Sequence, residues 1–208
     1  MNYFVTAINT DSGKTFVSAI ITEMLQADYW KPVQSGLPRD TETVKSLVSN
    51  DKSQFYQEGY FLNTPASPHA SAKIDGVEID LKQIIAPVSN RDLVIEGAGG
   101  ILVPLNDQDV ILDLIPQFDA EIILVSNLYL GSINHTLLTA EVIKSRGYKV
   151  KGIIFNGESN PESERIILEK TGLPLLLRID QEEAVDQEVV KKYAEQLRIC
   201  WDSPTGRK

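Results

Sequence analysis

The stretch YFVTAINTDSGKTFVSAIITEML, residues 3–25, predicts a strand, a turn and a helix in immediate succession. Residues 3–7 form an apolar run of the length and composition of a buried strand. Residues 14–25 carry apolar side chains at helical spacing, and Gly13 stands directly before them. A strand that passes through a glycine turn into a helix is the first half of a βαβ unit, which indicates an α/β fold.

Strands and helices continue to alternate along the rest of the chain. Further strands are predicted at residues 29–33, 93–95, 121–126, 150–155 and 174–177, and further helices at 41–48, 136–146 and 162–171. The strands are near-continuous apolar runs, which is typical of parallel strands buried on both faces. We therefore predict a single doubly wound domain, residues 1–200, with a mostly parallel sheet and helices on both faces. Residues 51–75 form a long irregular segment, of the kind that covers a functional site.

Composition and charge exclude several classes of partner. The 208 residues carry a formal net charge of −9, so we expect no nucleic-acid partner, which would need a positive face. The single cysteine, Cys200, allows no internal disulfide. No apolar run reaches the roughly 18 residues that a membrane span needs. We expect a cytoplasmic protein with no membrane partner, and a polar tail at residues 201–208.

The loop NTDSGKT, residues 9–15, has the features of a phosphate-binding site. A polyphosphate needs backbone N–H donors, the positive end of a helix dipole and a cation. Gly13 lets the backbone approach phosphates, Lys14 can reach the β and γ oxygens, and Thr15 offers a hydroxyl to Mg²⁺. The first glycine of the strict motif is missing, because Ile8 occupies its position. The alternative is a helix start capped by Asp11 or Ser12; the strand-to-helix context favours phosphate binding.

Two further segments also follow predicted strands. KPVQSG, residues 31–36, ends the second strand, and EGAGG, residues 96–100, follows the third. Glu96 stands at the carboxyl end of a buried strand, where a carboxylate can associate with Mg²⁺, and the glycines allow a ligand to approach the backbone. Asp40 begins the next helix, either as a cap or as a metal ligand through water. Taken alone, Lys31 is equally consistent with a surface lysine.

Five segments together resemble the dethiobiotin synthetase family over nearly the whole chain. They are T-x-x-G-K-T at residues 10–15, K-P-V-x-S-G at 31–36, S-P-H at 67–69, E-G-A-G-G at 96–100 and L-G-x-I-N-H at 130–135. The resemblance implies a P-loop NTPase-like fold and an ATP- and Mg²⁺-dependent ligase of biotin biosynthesis. In such enzymes 7,8-diaminononanoate takes up CO₂ as a carbamate, ATP phosphorylates it, and the second amine closes a cyclic urea.

The resemblance also implies roles for individual residues. It makes Lys31 the principal catalytic residue, with Lys14, Thr10 and Ser35 beside it. It assigns Mg²⁺ to Thr15, Asp40 and Glu96. It assigns ATP to Asp11, Ser12, Gly13, Lys14, Thr15, Phe16, Asp40, Glu96, Gly97, Ala98, Gly99, Asn156 and Gly157. It assigns the diamine to Lys31, Ser35, Gly99, Gly131, Ile133 and Asn134, of which the last three reach it from the second subunit of a homodimer.

The chain departs from the family at two places. The family's G-T-D-T is replaced by AINT at residues 7–10, and its G-x-I-P segment by LRID at residues 177–180. Asn156 matches a family asparagine that recognises adenine, but the altered second segment predicts weaker or less selective base recognition. Asn134 is also expected to cap the helix predicted at 136–146, while His69 and His135 are expected to be structural.

Two other functions remain open from the sequence. A partitioning or regulatory ATPase of the same P-loop group would use nucleotide to switch dimerisation and bind DNA or membrane, which the acidic composition disfavours. A scaffold without activity is disfavoured by the presence of Lys14, Thr15, Lys31, Asp40 and Glu96. Phosphate release that depends on both diamine and bicarbonate distinguishes the ligase from both.

Overall fold

The computed structural model describes residues 1–202 and contains helices and strands in alternation. The strands are β1 Asn2–Ala7, β2 Asp28–Trp30, β3 Val33–Ser35, β4 Tyr60–Leu62, β5 Leu93–Gly100, β6 Ala120–Asn127, β7 Val150–Asn156 and β8 Leu175–Ile179. The α-helices are α1 Lys14–Leu25, α2 Asp40–Leu47, α3 Pro68–Asp75, α4 Ser132–Ser145, α5 Pro161–Thr171 and α6 Gln187–Trp201. Short 3₁₀ segments occupy Leu81–Gln83 and Ile111–Phe118.

Six strands form one sheet in the order β2-β5-β1-β6-β7-β8. All of its neighbouring strands run parallel, which confirms the predicted fold class. The chain moves from β1 to one side of the sheet and then returns past β1 to build the other side. In such a sheet, ligands bind outside the carboxyl ends of the strands where the order reverses. The loop after β1 lies at that point.

Helices and loops cover both faces of the sheet. Alternate residues of each strand point to opposite faces, so neighbouring residues belong to different core clusters. Val5 joins a core cluster with residues of α1, α2 and α6, including Val17 and Val190. Its neighbour Phe4 joins a second cluster, with Phe118 and residues of the segment 101–118. Helices α4 and α5 cover the β6–β7 part of this second face. The near-continuous apolar runs are thus explained by burial on both sides.

The predicted strand at residues 29–33 is wrong, because the chain divides there between two sheets. β2 ends at Trp30, and β3 begins at Val33 and pairs with β4 in a separate two-stranded sheet. Pro32 has no N–H to continue the first ladder, and its carbonyl instead accepts a hydrogen bond from the Tyr60 amide at 2.9 Å. The break leaves Lys31 between the two sheets, directly beyond the end of β2.

Two other parts of the chain are more regular than the sequence indicates. The segment 51–75 contains the strand β4 and ends with the helix α3. Helix α6 was not predicted, although Val190, Tyr193 and Leu197 recur at helical spacing and are buried. The Asp186 carboxylate caps α6 by accepting from the Val189 amide at 2.9 Å. Trp201, placed in the predicted tail, ends α6 and is buried; residues 203–208 of that tail lie outside the described residues.

No helix within residues 1–202 combines the length and the apolar character that crossing a membrane requires.

Candidate active site

A cavity of about 500 Å³ opens at the carboxyl ends of β1 and β5. Its walls come from the loop after β1, the segment between β2 and α2, the segment before α3 and the end of β5. The lining residues are Thr10, Asp11, Lys14, Thr15, Lys31, Gln34, Ser35, Asp40, Pro65, Ala66, Ser67, Pro68, Glu96, Ala98, Gly99 and Val103. Side chains that are far apart in the sequence therefore share one site, including part of the segment 51–75.

The loop after β1 delivers the N-terminus of α1 to this cavity. Gly13 adopts a left-handed conformation with φ 92°, and the helix begins at Lys14 without any side-chain cap. The alternative interpretation, in which Asp11 or Ser12 caps the helix, is therefore wrong. Because the first N–H groups of a helix have no acceptor within it, the start of α1 offers donors and a positive dipole end. This is the arrangement that binds phosphate.

Lys14 supplies a cation at the same place. Its ammonium donates to the carbonyl oxygens of Asn9 at 3.2 Å and Thr10 at 2.9 Å, so the loop curves around it. The side chain is buried, and this burial lowers the pKa of Lys14 to about 8, against the opposing attraction of Glu96. An ammonium that has lost its hydration is ready to exchange carbonyl contacts for phosphate oxygens.

A second group of charges surrounds Lys31. Its ammonium lies 2.5 Å from Asp40 Oδ2 and 3.1 Å from Glu96 Oε1, and it also donates to the Gly97 carbonyl at 3.3 Å. Burial alone would lower the pKa of Lys31, but the charges of Glu96 and Asp40 outweigh it and raise that pKa. Lys31 is therefore a permanently charged ammonium facing the cavity.

Glu96 connects the two groups. Its Oε1 accepts from the Thr15 hydroxyl at 3.0 Å as well as from Lys31. Its Oε2 accepts from the Tyr29 hydroxyl at 2.9 Å. Tyr29 is fully buried, and burial together with the negative charge of Glu96 raises its pKa well above the usual value, so it remains a donor. Sequence analysis missed Tyr29, because its contact with Glu96 depends on the pairing of β2 with β5.

Gln34 fixes the start of α2, and sequence analysis missed it too. Its side-chain amide donates to the Gly36 carbonyl at 3.2 Å, and its Oε1 accepts from the Asp40 backbone amide at 3.1 Å. These bonds position Asp40 at the first turn of the helix, whose N-cap is Arg39, so Asp40 does not cap it. Ser35 lines the cavity, and its buried Oγ has no hydrogen-bond partner among the described residues. A buried hydroxyl of this kind is available to a ligand.

Two of the glycines after Glu96 are required for different structural reasons. β5 continues to Gly100 rather than ending at residue 95. A Cβ on Gly97 would meet the Phe4 ring at 3.0 Å, so the absence of a side chain at Gly97 serves core packing. Gly99 has φ +64°, and a Cβ there would meet Val103 Cγ2 at 2.9 Å and Thr10 Oγ1 at 3.5 Å. The positive φ and the close approach of Val103 therefore both favour glycine at residue 99, while the distance to Thr10 is an ordinary contact.

Two asparagines hold the middle of the phosphate loop. The buried Ser12 hydroxyl donates to Asn127 Oδ1 at 2.7 Å, and the Asn156 amide donates to the Ser12 carbonyl at 3.0 Å. A Cβ on Gly13 would stand 2.2 Å from Asn156 Nδ2. Asn156 thus braces the phosphate loop through its backbone, and Asn127, which sequence analysis missed, braces it through a side chain.

Other residues assigned to ATP lie just outside the cavity lining. The Phe16 ring packs edge-on against Tyr193, with centroids 5.9 Å apart. Gly157 has φ +103° and donates its amide to the Ile179 carbonyl at 3.0 Å. Arg178, from the segment that departs from the family pattern, donates to the Gly157 carbonyl at 2.7 Å and to Glu164 Oε1 at 2.8 Å. Arg178 therefore ties the ends of β7 and β8 together.

Gly131, Ile133 and Asn134 are not brought into the cavity of their own chain. Helix α4 begins at Ser132, and Gly131 is its N-cap with φ 104°. The expectation that Asn134 caps a helix starting at residue 136 is wrong, because Asn134 already lies in the first turn. This helix start forms a separate exposed surface with the amide donors of a helix N-terminus.

The oxygen atoms around Lys31 suit a magnesium ion. Thr15 offers a hydroxyl, and Asp40 and Glu96 offer one carboxylate each. Within residues 1–202, no group of three or more His, Cys, Asp or Glu side chains is arranged to hold a metal ion by itself. Mg²⁺ is usually held by one or two carboxylates and keeps waters and substrate phosphates in its remaining positions. The donor set therefore fits Mg²⁺ bound together with a nucleotide.

Comparison with solved structures is consistent with this fold. The chain is similar to a ParA family ATPase from Chlorobium tepidum, with a TM-score of 0.57 and 14% identity over 95% of this chain and 92% of that one. It is also similar to a chain of the MinC:MinD cell division protein complex from Aquifex aeolicus, with a TM-score of 0.61 and 11% identity over 100% and 98%. At such identities the likeness shows the parallel α/β P-loop fold alone.

Sequence comparison is more specific. A family profile described as an AAA domain matches residues 1–189. The ATP-dependent dethiobiotin synthetase of Cytophaga hutchinsonii is 60% identical over 96% of this chain and 98% of its own. The enzyme of the same name from Christiangramia forsetii is 52% identical over 95% and 96%, and that of Agrobacterium fabrum 42% identical over 80% of each. The chain belongs to the ATP-dependent dethiobiotin synthetase family.

Proposed function

We propose that this protein closes the cyclic urea of dethiobiotin from 7,8-diaminononanoate, CO₂ and ATP in biotin biosynthesis. One amine and CO₂ form an N-carbamate with release of a proton. A carbamate oxygen then takes the γ-phosphoryl group of ATP, which breaks the bond to ADP. The second amine attacks the carbamoyl carbon, phosphate leaves and a proton is lost. The carbamate oxygen, a poor leaving group, departs as part of phosphate.

The observation that carries this proposal is the position of Lys31. Its ammonium, held by Asp40 and Glu96, faces a cavity that also contains the phosphate loop with Lys14. A reaction in which a phosphoryl group passes between two anions requires positive charge at both ends of its path. Lys14 serves the nucleotide end, and Lys31 serves the carbamate end. The hydroxyl groups of Thr10 and Ser35 donate hydrogen bonds to the oxygens of the carbamate or of the transferred phosphoryl group.

When Mg²⁺ is bound, it neutralises charge on the β- and γ-phosphates; Thr15, Asp40 and Glu96 would hold it. The ATP contacts of the phosphate loop come from backbone amides at residues 11–16, and the loop keeps its shape through Ser12 and Asn156. Ala98 and Gly99 line the same cavity, and a Cβ on Gly99 would lie 3.5 Å from Thr10 Oγ1. These groups bind and orient the reactants, and the protein contributes positioning more than covalent chemistry.

The proposal predicts little discrimination among nucleotide bases. The Asn156 amide is already engaged with the Ser12 carbonyl, and Arg178 occupies the segment where family members carry their base-contacting residues. We expect turnover with GTP and CTP to fall within about tenfold of turnover with ATP, which corresponds to roughly 1.4 kcal/mol of discrimination. Steady-state rates with the three nucleotides measure this; a preference for ATP of several hundredfold would contradict it.

The lowered pKa of Lys14 predicts a pH dependence of ATP binding. Below pH 8 the Lys14 ammonium is charged in the empty protein, and ATP binds without proton uptake. Above the pKa of about 8, the empty site loses this proton, whereas phosphate oxygens favour the charged form. The affinity is therefore expected to fall by about tenfold per pH unit above pH 8.

Calorimetric titration with ATP between pH 7 and 9.5 measures this slope. The matched variant Lys14→Met is expected to bind weakly but without the slope. A wild-type affinity that stays constant up to pH 9.5 would show that the buried ammonium does not titrate in this range.

We further propose that the protein works as a homodimer in which each cavity receives the start of α4 from the partner subunit. This placement rests on the exposed helix N-terminus at Gly131, Ile133 and Asn134, which is suited to the substrate carboxylate and lies outside its own chain's cavity. Leu130 and Leu138 are exposed beside it, which favours burial against another chain.

The overall function is tested by measuring phosphate release with ATP and Mg²⁺. We expect release only when both 7,8-diaminononanoate and bicarbonate are present, together with formation of a product of the mass of dethiobiotin. ATP hydrolysis at the same rate with and without the diamine would instead indicate a nucleotide-switched ATPase. The absence of phosphate release under all conditions would indicate a scaffold.

A further inference from the structure

Tyr29 and Lys31 hold the two oxygens of one buried carboxylate. The Tyr29 hydroxyl donates to Glu96 Oε2 at 2.9 Å, and the Lys31 ammonium lies 3.1 Å from Oε1. Thr15 also donates to Oε1, at 3.0 Å. Tyr29 is the only donor to Oε2 among the described residues, so the two oxygens have different surroundings.

Strand register explains this arrangement. Tyr29 of β2 is paired with Val94 of β5, so Glu96, two residues further along β5, is its diagonal neighbour on the same face. Diagonal neighbours in a sheet are within reach of an aromatic side chain. Lys31 follows Tyr29 by two residues and reaches the same carboxylate from just beyond the strand. The tyrosine hydroxyl is therefore aimed at Glu96 by the backbone of two adjacent strands.

From this geometry we propose that Tyr29 is a positioning residue that orients Glu96 for magnesium-linked nucleotide binding. Its hydroxyl anchors Oε2 at the buried side of the carboxylate, which leaves Oε1 directed towards Thr15 and Lys31 in the cavity. Tyr29 does not line that cavity and acts only through Glu96. The inference rests on the proposed function for the role of Glu96 as a magnesium ligand.

If Tyr29 only filled the core, its substitution would affect ATP binding in a different way. Tyr29 also packs against Phe55, with ring centroids 6.2 Å apart, and any loss of packing would lower stability and nucleotide affinity whether or not Mg²⁺ is present. If Tyr29 positions Glu96, its substitution instead reduces the amount by which Mg²⁺ strengthens ATP binding. The ring is retained in Tyr29→Phe, which removes the hydroxyl alone.

The experiment measures ATP dissociation constants by calorimetry, in saturating Mg²⁺ and in EDTA, without the diamine. In Tyr29→Phe we expect the strengthening of ATP binding by Mg²⁺ to fall by on the order of tenfold, the scale typical of groups that orient metal ligands. Binding in EDTA is expected to change by less than about twofold, since the hydrogen bonds of Tyr29 join it to Glu96, Gln54 and Tyr56 and not to the phosphate loop. Because no diamine is used, failure of the ligase function leaves this comparison interpretable.

Tyr56→Phe is the matched control. The Tyr56 hydroxyl donates to Asp28 Oδ2 at 3.1 Å, which is also a tyrosine–carboxylate bond on β2 but at the end remote from the cavity. It is expected to leave the effect of Mg²⁺ unchanged. An unchanged effect of Mg²⁺ in Tyr29→Phe, or an equal loss in Tyr56→Phe, would overturn the proposal.

A double variant covers the case in which Tyr29→Phe folds poorly because Oε2 is left without a donor. In Glu96→Gln the negative charge is gone, and adding Tyr29→Phe is expected to cause no further loss of the Mg²⁺ effect. A further loss of several fold in the double variant would mean that Tyr29 acts independently of Glu96, and the positioning role would be wrong.

Discussion

Replacing Lys31 with methionine is expected to lower kcat for diamine-dependent ADP formation by about 10²–10³-fold, the scale of removing one preorganised group from a transition state. The methionine side chain fills similar space but carries no charge. The ammonium of Lys31 lies between Asp40 and Glu96 at the cavity wall, where the proposed carbamate would accept the phosphoryl group. The KM for ATP is expected to change much less, because Lys14 and the helix N-terminus remain.

Stability has to be measured beside activity, because the change leaves the Glu96 carboxylate without its cation. Removing one partner of a buried ion pair costs about 3–5 kcal/mol in general, so circular dichroism and ATP binding should establish that the variant is folded. Lys191→Met removes an ammonium from an exposed pair with Glu188 and should leave kcat unchanged. A folded Lys31→Met protein with kcat within a few fold of wild type would contradict the proposed mechanism.

Mixing two inactive variants is expected to restore about a quarter of the wild-type activity if, as proposed, each site of a two-fold dimer takes residues from both subunits. One variant is Lys31→Met. The other is Asn134→Asp, which places a negative charge beside the proposed site of the substrate carboxylate. An aspartate in the first turn is compatible with α4. In a mixed dimer one site carries both changes, and the other carries neither.

The measurement compares each variant alone with the two after unfolding and refolding together, at a diamine concentration well below the KM of Asn134→Asp. Sedimentation establishes the dimer in all three samples. Refolding each variant separately and then mixing briefly is the control for exchange. If the co-refolded sample is no more active than its components while dimers are present, the start of α4 serves its own chain or no site at all.

Much of the fold could be predicted because the deciding signals are local. Residues 14–25 were predicted as a helix and form α1 with the same bounds. The buried parallel strands were recognisable from β-branched runs, and their parallel direction was indicated by their alternation with helices. The order of the strands in the sheet, β2-β5-β1-β6-β7-β8, was not predicted. One error arose where a distant segment determines local structure, because β3 pairs with β4 in a separate sheet. The omission of α6 has a different cause, since its apolar spacing is present in the sequence.

The candidate site was predictable as a set of residue types, but its contacts were not. Lys14, Thr15 and Glu96 stand in segments whose sequences indicate phosphate and metal chemistry. Nothing local indicated that Tyr29 would reach Oε2 of Glu96, because that contact depends on which residues of β2 and β5 lie opposite each other. Likewise, the bond between Ser12 and Asn127 joins the loop after β1 to the end of β6, and these two strands are neighbours only in the folded sheet.

The sequence by itself determined the α/β class, the phosphate loop and the family, because each is recorded in short segments whose periodicity and residue types act over a few neighbouring positions. Tertiary structure alone decided which charges meet. Pro32 ends β2 and leaves Lys31 between two sheets, and the parallel pairing of β1 and β5 brings Glu96 beneath Thr15. Electrostatic energies depend on separations of a few ångströms, and such separations between distant segments are set only when the chain has folded.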